Sequence, residues 1–263
     1  MPELPEVQCV VNSLQRVVGR RIKGVRVLTN RLREEFQPDL QERLEGREVR
    51  AIRRKGKYLV FALDQGYIVA HLGMTGKFLI DHASGVHDRA IIDFEGGGAL
   101  TYNDVRKFGF LLYEDDLMDN KYLRKLGMEP LSENFTSAWL IPIANGSRKS
   151  AKQFLLDQSI IVGLGNIYVA EVLYACRISP LREMHTLSDE ALQNLVMEIK
   201  LMLLDSIAKG GSSISDYRDA DNLMGSYQEG FHVYEQTKDK EGNEVVKIVQ
   251  NGRSTYYCPS VQH

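Results

Sequence analysis

Residues 58–72 read YLVFALDQGYIVAHL. Two short runs rich in β-branched and aromatic residues, 58–63 and 67–72, flank Asp64-Gln65-Gly66, a tripeptide with the composition of a tight turn. Working outward, similar runs recur at 90–94 (AIIDF) and 109–113 (GFLLY), punctuated by Gly73 and by Gly96-Gly97-Gly98. Short strands with close turns from about residue 22 to residue 113 predict an antiparallel sandwich or barrel. Upstream, Val7, Val10, Val11, Leu14, Val17 and Val18 recur at helical spacing, so a helix over 5–18 leads into the β region and stops at Gly19. Beyond about 114 the spacing is helical again, clearest over 188–209, where Ser188, Asp189 and Glu190 suit a helix start and Gly210-Gly211 a stop. Over 245–258 the chain reads VVKIVQ, Asn251-Gly252, RSTYYC, and Asn-Gly between β-rich runs predicts a hairpin. The fold class is therefore α+β: leading helix, antiparallel β region, helical region, hairpin.

A chain of 263 residues can hold two domains, each with its own core. Hydrophobic content of 43% beside 26% charged residues is that of a globular chain. No apolar run approaches the roughly 20 residues that a bilayer span needs, and no cationic-then-apolar leader opens the sequence, so no membrane partner and a cytoplasmic location are expected. Three scattered cysteines, Cys9, Cys176 and Cys258, argue against a disulfide framework. A net charge of −2 gives no overall sign of a nucleic-acid partner, which leaves local clustering to supply one.

The first six residues are Met1-Pro2-Glu3-Leu4-Pro5-Glu6. A small residue after Met1 favours its removal, which would leave Pro2 as a terminal secondary amine. Such an amine titrates near pH 8, far below a lysine, and can attack a sugar aldehyde carbon to form a cationic iminium. Glu3 and Glu6 lie within sequence reach for proton transfer. The same residues also suit an ordinary helix start. Arg47, Arg50, Arg53, Arg54, Lys55 and Lys57 form the densest basic patch, with Arg53, Lys55 and Lys57 able to share one strand face. It reads equally as a phosphate contact or as a solvated edge strand. In 161–169 (IVGLGNIYV), two glycines and Asn166 join apolar helical stretches, either as a plain corner or as a backbone platform whose helix N-terminus offers N–H groups to a phosphate. Arg106 and Phe108, with Met74 after another strand, are either core residues or a cation and two apolar wedges suited to a base stack.

Together these segments resemble the formamidopyrimidine-DNA glycosylase family. The motifs that carry the likeness are PELPEV (2–7), RRKGKYL (53–59), HLGMTGK (71–77), DVRKFG (104–109), DQSIIVGLGNIYVAEVL (157–173), GGSS (210–213) and GRSTYYCP (252–259), in family order over nearly the whole chain. The resemblance implies an N-terminal catalytic β-sandwich (1–130), a helix-two-turn-helix DNA-binding domain (131–228) and a C-terminal hairpin finger (229–263), with DNA between the domains. It implies Pro2 as nucleophile at the sugar C1′, Glu3 assisting base departure and ring opening, Glu6 supporting the site, and Lys57 contacting the lesion strand. Met74, Arg106 and Phe108 would fill the gap left by the flipped base, Asn166 and Arg253 would grip flanking phosphates, and the loop at 214–225 would cover the extruded base. Leu4 favours this branch over the endonuclease VIII branch, which usually carries glycine there. The implied activity is excision of oxidised purines, 8-oxoguanine and formamidopyrimidines, from double-stranded DNA, followed by β,δ-elimination at the abasic site. The alternative is a paralogue that binds lesions without catalysis. A monomer is expected.

One departure stands out. Bacterial members usually carry two C-x-x-C pairs holding a structural zinc in the terminal hairpin. Here the second pair would fall at Cys258 and Val261, and the first in 238–245, which reads KDKEGNEV. Cys258 is the single cysteine of the expected set, so no zinc and no other cofactor is expected. Val245, Val246, Ile248, Val249, Tyr256 and Tyr257 are the candidates to hold such a zincless finger by packing.

Overall fold

The computed structural model describes residues 1–213 and 224–263. They form two compact units, Met1–Arg124 with Lys209–Ser226, and Lys125–Ala208 with Tyr227–His263.

The first unit starts with helix α1 (Leu4–Ser13), which tightens into a 3-10 turn over Leu14–Val17 before Gly19 turns the chain away. Its apolar stripe, Val7, Val10, Val11 and Leu14, is at most 3% exposed and lies in the main core. Residues 5–13 of the expected helix are thus α-helical and the last turn is overwound, with Val17 in the same core. Strand β1 (Ile22–Val27) and the short helix α2 (Leu40–Leu44) follow. Then come β2 (Val49–Lys55), β3 (Tyr58–Leu63), β4 (Tyr67–His71), β5 (Gly76–Ile80), β6 (Asp88–Phe94), β7 (Ala99–Asp104) and β8 (Phe110–Glu114).

These strands build two four-stranded antiparallel sheets, ordered β1-β6-β7-β5 and β2-β3-β4-β8. The opening stretch forms the β3–β4 hairpin at its centre, pairing Tyr58 with His71 and Ala62 with Tyr67. Phe61 of one sheet meets Phe78 of the other edge-on at 5.5 Å, and Tyr102 packs on Phe78 at 5.1 Å. Each ring so enclosed contributes about 1.5–3 kcal/mol of burial, so this aromatic seam holds the sandwich shut.

The second unit contains α3 (Ser137–Asn145), α4 (Ala151–Leu156), α5 (Asn166–Ala175) and α6 (Asp189–Ala208). Local signals set their starts: Thr136 caps α3, a Ser150/Gln153 capping box opens α4, and Ser188 accepts the Ala191 amide at the start of α6. Helix α5 carries buried residues on all sides because α4, α6 and a strand of the hairpin pack around it. The hairpin consists of β9 (Val246–Gln250) and β10 (Arg253–Tyr257), paired in register from Arg253–Gln250 to Tyr257–Val246. Asn251 and Gly252 take φ of 51° and 72°, the left-handed pair that a two-residue hairpin turn demands. No helix among the described residues is long and apolar enough to cross a membrane.

Candidate active site and nucleic-acid interface

Helix α1 begins at Glu3, and its first turn folds Glu6 back so that the two carboxylate residues form a reciprocal capping box. The Glu6 Oε2 accepts the Glu3 amide at 2.8 Å, while Oε1 accepts the Ser212 amide at 2.7 Å and the Ser212 hydroxyl at 2.9 Å. Both residues are nearly sealed, Glu3 at 3% and Glu6 at 2% exposure, and Pro2 is buried beside them. The chain comes this close at Gly211 because the residue has φ of 81° and no side chain; a Cβ there would stand 3.1 Å from the Glu6 carboxyl.

Lys57 reaches the same corner by a route the strand-face reading does not anticipate. Strand β2 ends at Lys55, with Arg53 and Lys55 exposed, and the turn at Gly56 swings Lys57 inward to 6% exposure. Its side chain therefore parts company with the solvated patch, and its charge acts on the chain's amino group. The Met1 amino group responds to the resulting field: burial pulls its pKa down, Glu3 opposes this, Lys57 lowers it further, and Glu6 and Arg106 act more weakly in opposite senses.

Met74, Arg106 and Phe108 are brought together by two loops tied through Asp104, which is fully buried. Its carboxylate accepts the Thr75 hydroxyl at 2.6 Å and the Arg106 and Gly109 amides at 3.2 and 2.9 Å. The Arg106 amide also reaches the Thr75 hydroxyl at 3.0 Å, and a Cβ on Gly73 would collide with the Phe108 backbone at 2.5 Å. On this rigid base Phe108 is 48% and Met74 39% exposed, with the Arg106 guanidinium over the Phe108 ring at 4.8 Å. Both apolar side chains therefore stand out from polar-anchored loops and are not core residues.

His71, Asp104 and Ser212 are residues that sequence reasoning passed over. All three lie inside quoted motifs, HLGMTGK, DVRKFG and GGSS, but nothing in spacing marks what they hold in place. His71 stacks on Phe110 at 5.8 Å, and its Nδ1 accepts the Gly73 amide at 2.9 Å. Burial, with Lys57 and Arg33 adding to it, pulls its pKa down to about 4, so the ring is neutral at physiological pH.

In the second unit, Asn166 opens α5 and its Nδ2 donates to the Ser254 carbonyl at 2.9 Å, which sets it beside Arg253 at the hairpin tip. The Lys152 ammonium donates to the same carbonyl and to the Thr255 hydroxyl, both at 2.7 Å. Lys152 is 2% exposed; burial, with Arg253 nearby, pulls its pKa down to about 8. The Asn166 Oδ1 is buried without a hydrogen-bond partner, and Arg253 itself is exposed. A depression of about 450 Å³ lined by Lys149, Lys152, Gln153, Gln250 and Arg253 lies alongside. The 214–225 loop lies outside the described residues except at its last two positions.

The expected zinc site can be tested on its donor set. Cys258 is fully buried within an apolar cluster, and its sulfur lies 3.2 Å from the Ser260 hydroxyl. Asp239, in the segment where the first cysteine pair would fall, already accepts four hydrogen bonds. Among the described residues no group of three or more His, Cys, Asp or Glu could hold a metal ion. The residues present do not fit a four-thiolate zinc.

An antiparallel sandwich with a buried amino-terminal carboxylate corner, joined to a helical unit with a glycine-rich helix entry, defines the class of DNA-binding base-excision-repair glycosylases with a helix-two-turn-helix. Comparison with known proteins makes this specific. Residues 1–111 match the formamidopyrimidine-DNA glycosylase N-terminal domain and residues 126–218 match the H2TH domain of the same family. The chain is 38% identical to a formamidopyrimidine-DNA glycosylase of Bartonella henselae and 40% identical to one of Cereibacter sphaeroides, each over 100% of both chains. Among solved structures, wild-type Lactococcus lactis Fpg in complex with DNA containing N7-benzyl-Fapy-dG superposes with a TM-score of 0.90 at 34% identity, again covering 100% of both chains. The Thermus thermophilus protein gives 0.89 at 34%, over 99% of this chain and 98% of that one. The chain belongs to the formamidopyrimidine-DNA glycosylase family.

Proposed function

We propose that the protein is a bifunctional DNA glycosylase and abasic-site lyase that removes oxidised purines, 8-oxoguanine and formamidopyrimidines, from duplex DNA as a monomer. The observation that carries this reading is the buried amino-terminal corner, where two carboxylates and a lysine surround an amine whose pKa is pulled down. After loss of Met1, the Pro2 nitrogen becomes the terminal amine of this corner, and an ordinary α-amino pKa near 8 already leaves an appreciable fraction unprotonated at neutral pH. The nitrogen attacks the sugar C1′, the base departs with the glycosidic bonding electrons, and Glu3 donates the proton that assists departure and ring opening. The resulting iminium withdraws electrons from C1′, so the proton on C2′ is lost and the 3′ phosphate leaves in β-elimination. A second, δ-elimination releases the 5′ phosphate. No step calls for a metal.

The remaining assignments follow the geometry. Glu6 fixes the first turn of α1 against Ser212, and Lys57 approaches the lesion-strand phosphate from its buried position. Met74 and Phe108 enter the gap left by the flipped base while Arg106 bonds the orphaned partner base; flipping costs a few kcal/mol of stacking, least for a damaged base. Asn166 and Arg253 hold flanking phosphates. Support for the substrate class comes from the Lactococcus lactis protein, whose solved complexes contain Fapy-dG or abasic-site DNA.

Borohydride trapping on a duplex with 8-oxoguanine opposite cytosine tests the reading, with a chelator present throughout and loss of Met1 confirmed by mass. A covalent protein–DNA adduct that is absent in Pro2→Gly is expected. Binding without any adduct, from protein that has lost Met1, would overturn it in favour of a non-catalytic lesion binder.

A further inference from the structure

The hairpin lacks the donor set for zinc, yet both places where cysteine pairs would fall are closed, ordered turns. At the first, Asp239 sits in a loop bracketed by an antiparallel bridge between Lys238 and Glu244 and by a bond from the Val245 amide to the Thr237 carbonyl at 3.0 Å. One carboxylate oxygen accepts the Glu241 and Asn243 amides at 3.0 and 2.8 Å. The other accepts the Asn243 side-chain amide at 2.9 Å and the Tyr174 hydroxyl at 3.0 Å. At the second, the Gln262 side-chain Oε1 accepts the Cys258 amide at 2.8 Å, and its Nε2 donates to the Ile178 carbonyl at 2.9 Å. Each turn is gathered by one buried side chain where a metal would gather two thiolates.

The two turns are fastened to one helix. Tyr174 stands one turn beyond Glu171 on α5, and residues three apart share a helix face. The Glu171 carboxylate accepts the amides of His232, Val233 and Tyr234 at 2.8, 2.9 and 2.7 Å, which pins the chain entering the finger. Between the turns lies a small core of Ala170, Val233, Val245 and Cys258, with Tyr174, Tyr234, Tyr256 and Val261 packed against it. Of the packing candidates from sequence, Val245 and Tyr256 take part, whereas Val249 is 75% exposed. The finger is therefore held at its base by a carboxylate and a small core, not by a run of β-branched residues.

We propose that Asp239, clamped to α5 through Tyr174, is a positioning residue that replaces the metal of the finger and sets how Arg253 is presented to DNA. The proposal rests on the reading of Arg253 as a phosphate contact. Burial, with the Asp239 carboxylate second, pushes the Tyr174 hydroxyl up to about 12, which keeps it a donor across the working pH range. Strand β9 links the Asp239 turn directly to the tip, so a change of register at the base is passed to Arg253 along a paired strand.

The test is affinity for a duplex carrying a tetrahydrofuran abasic analogue, with kcat and KM on the 8-oxoguanine duplex, in the parent and in Arg253→Ala. Loss of one charge-assisted hydrogen bond predicts that Asp239→Asn weakens binding about tenfold and Tyr174→Phe about threefold, with kcat within about twofold. In the Arg253→Ala background both penalties shrink to less than about twofold, because the group they position is gone. Neither a chelator nor added zinc changes the parent's affinity. Equal penalties in both backgrounds, or a parent weakened by chelation, would overturn the proposal. An Arg253→Ala protein that binds as tightly as the parent would instead sink the reading of Arg253. Should Asp239→Asn lose its hairpin outright, Tyr174→Phe removes one oxygen and carries the same comparison.

Discussion

Glu3, Glu6 and Lys57 are 3%, 2% and 6% exposed in the first unit; Asp239, Gln262 and Lys152 are 6%, 3% and 2% exposed in the second. The depth is the same and the use differs. At the amino-terminal corner the charged groups surround an amine, and their fields act on its proton affinity. At the hairpin the polar groups are spent on backbone amides, carbonyls and a tyrosine, each of which fixes a turn or a strand. Where, on the proposed mechanism, an atom itself must react, only that residue will serve, and the family's motif stands unaltered from Pro2 to Val7. Where the task is to hold a turn, any group that satisfies the local donors will serve, and the finger's thiolates are gone without loss of the hairpin. Burying a polar side chain is costly unless it is paired, so both regions must justify it, one by chemistry and the other by shape.

The largest effect that would break this contrast is at Glu3. Glu3→Gln keeps volume and the capping geometry but cannot act as a proton donor of the same strength. We expect base excision to slow by about 10²–10⁴-fold, the usual contribution of a positioned acid or base, while affinity for the abasic-analogue duplex changes by less than about threefold. Single-turnover kinetics beside equilibrium binding separates the two. A variant that loses binding and rate together would place Glu3 with Asp239 as a scaffold residue.

Next comes His71. Its folded pKa of about 4 lies below the ordinary 6.5, so the native state favours the neutral ring. The contribution to stability is complete above pH 6.5 and erodes as pH falls toward 4, the loss amounting to about 3 kcal/mol once both states are protonated. His71→Phe, which keeps the stack on Phe110, should be less stable than the parent at pH 7 and should close that gap by pH 4, measured by denaturant unfolding. A gap that stays constant across this range would mean that His71 is not held neutral beside Lys57.

Glu6 sharpens the contrast because it belongs to both sides. Its two oxygens accept from two separate backbone amides, Glu3 and Ser212. Glu6→Gln offers a single acceptor oxygen, leaving one amide facing an NH₂ group at a cost of about 1–3 kcal/mol. A fall in unfolding free energy of that size, together with faster amide exchange at Ser212, is expected.

The sandwich and the terminal hairpin were legible because strand and turn signals are local: 58–63, 67–71 and the Asn-Gly turn depend on composition within a few residues. The amino-terminal corner was marked by its motif, but its assembly was not legible. Lys57 arrives by a turn at Gly56 that breaks the strand periodicity, and Ser212 comes from over 200 positions away. The hairpin's support was least legible of all. Packing was the expectation, since β-branched residues advertise it, whereas KDKEGNEV has the look of a solvated turn. Only the geometry shows that Asp239 turns inward and meets a tyrosine on α5.

The smallest effect concerns Cys258, and its smallness is the point. As a zinc ligand it would be indispensable, because structural zinc supplies about 10–16 kcal/mol of apparent binding energy to folding. As a fully buried member of a small apolar core, it should behave as a compact hydrophobe. Cys258→Ala then removes one sulfur's worth of contact, leaves the Gln262 bond to the backbone amide intact, and should cost about 1 kcal/mol. Affinity for the abasic-analogue duplex should move by less than about twofold, with or without a chelator. Measured beside Asp239→Asn, this reverses the ranking that a metal-held finger would give: the surviving cysteine matters little and the aspartate matters most. Loss of the hairpin in Cys258→Ala would restore the sulfur to a central place and erase the distinction between the two regions.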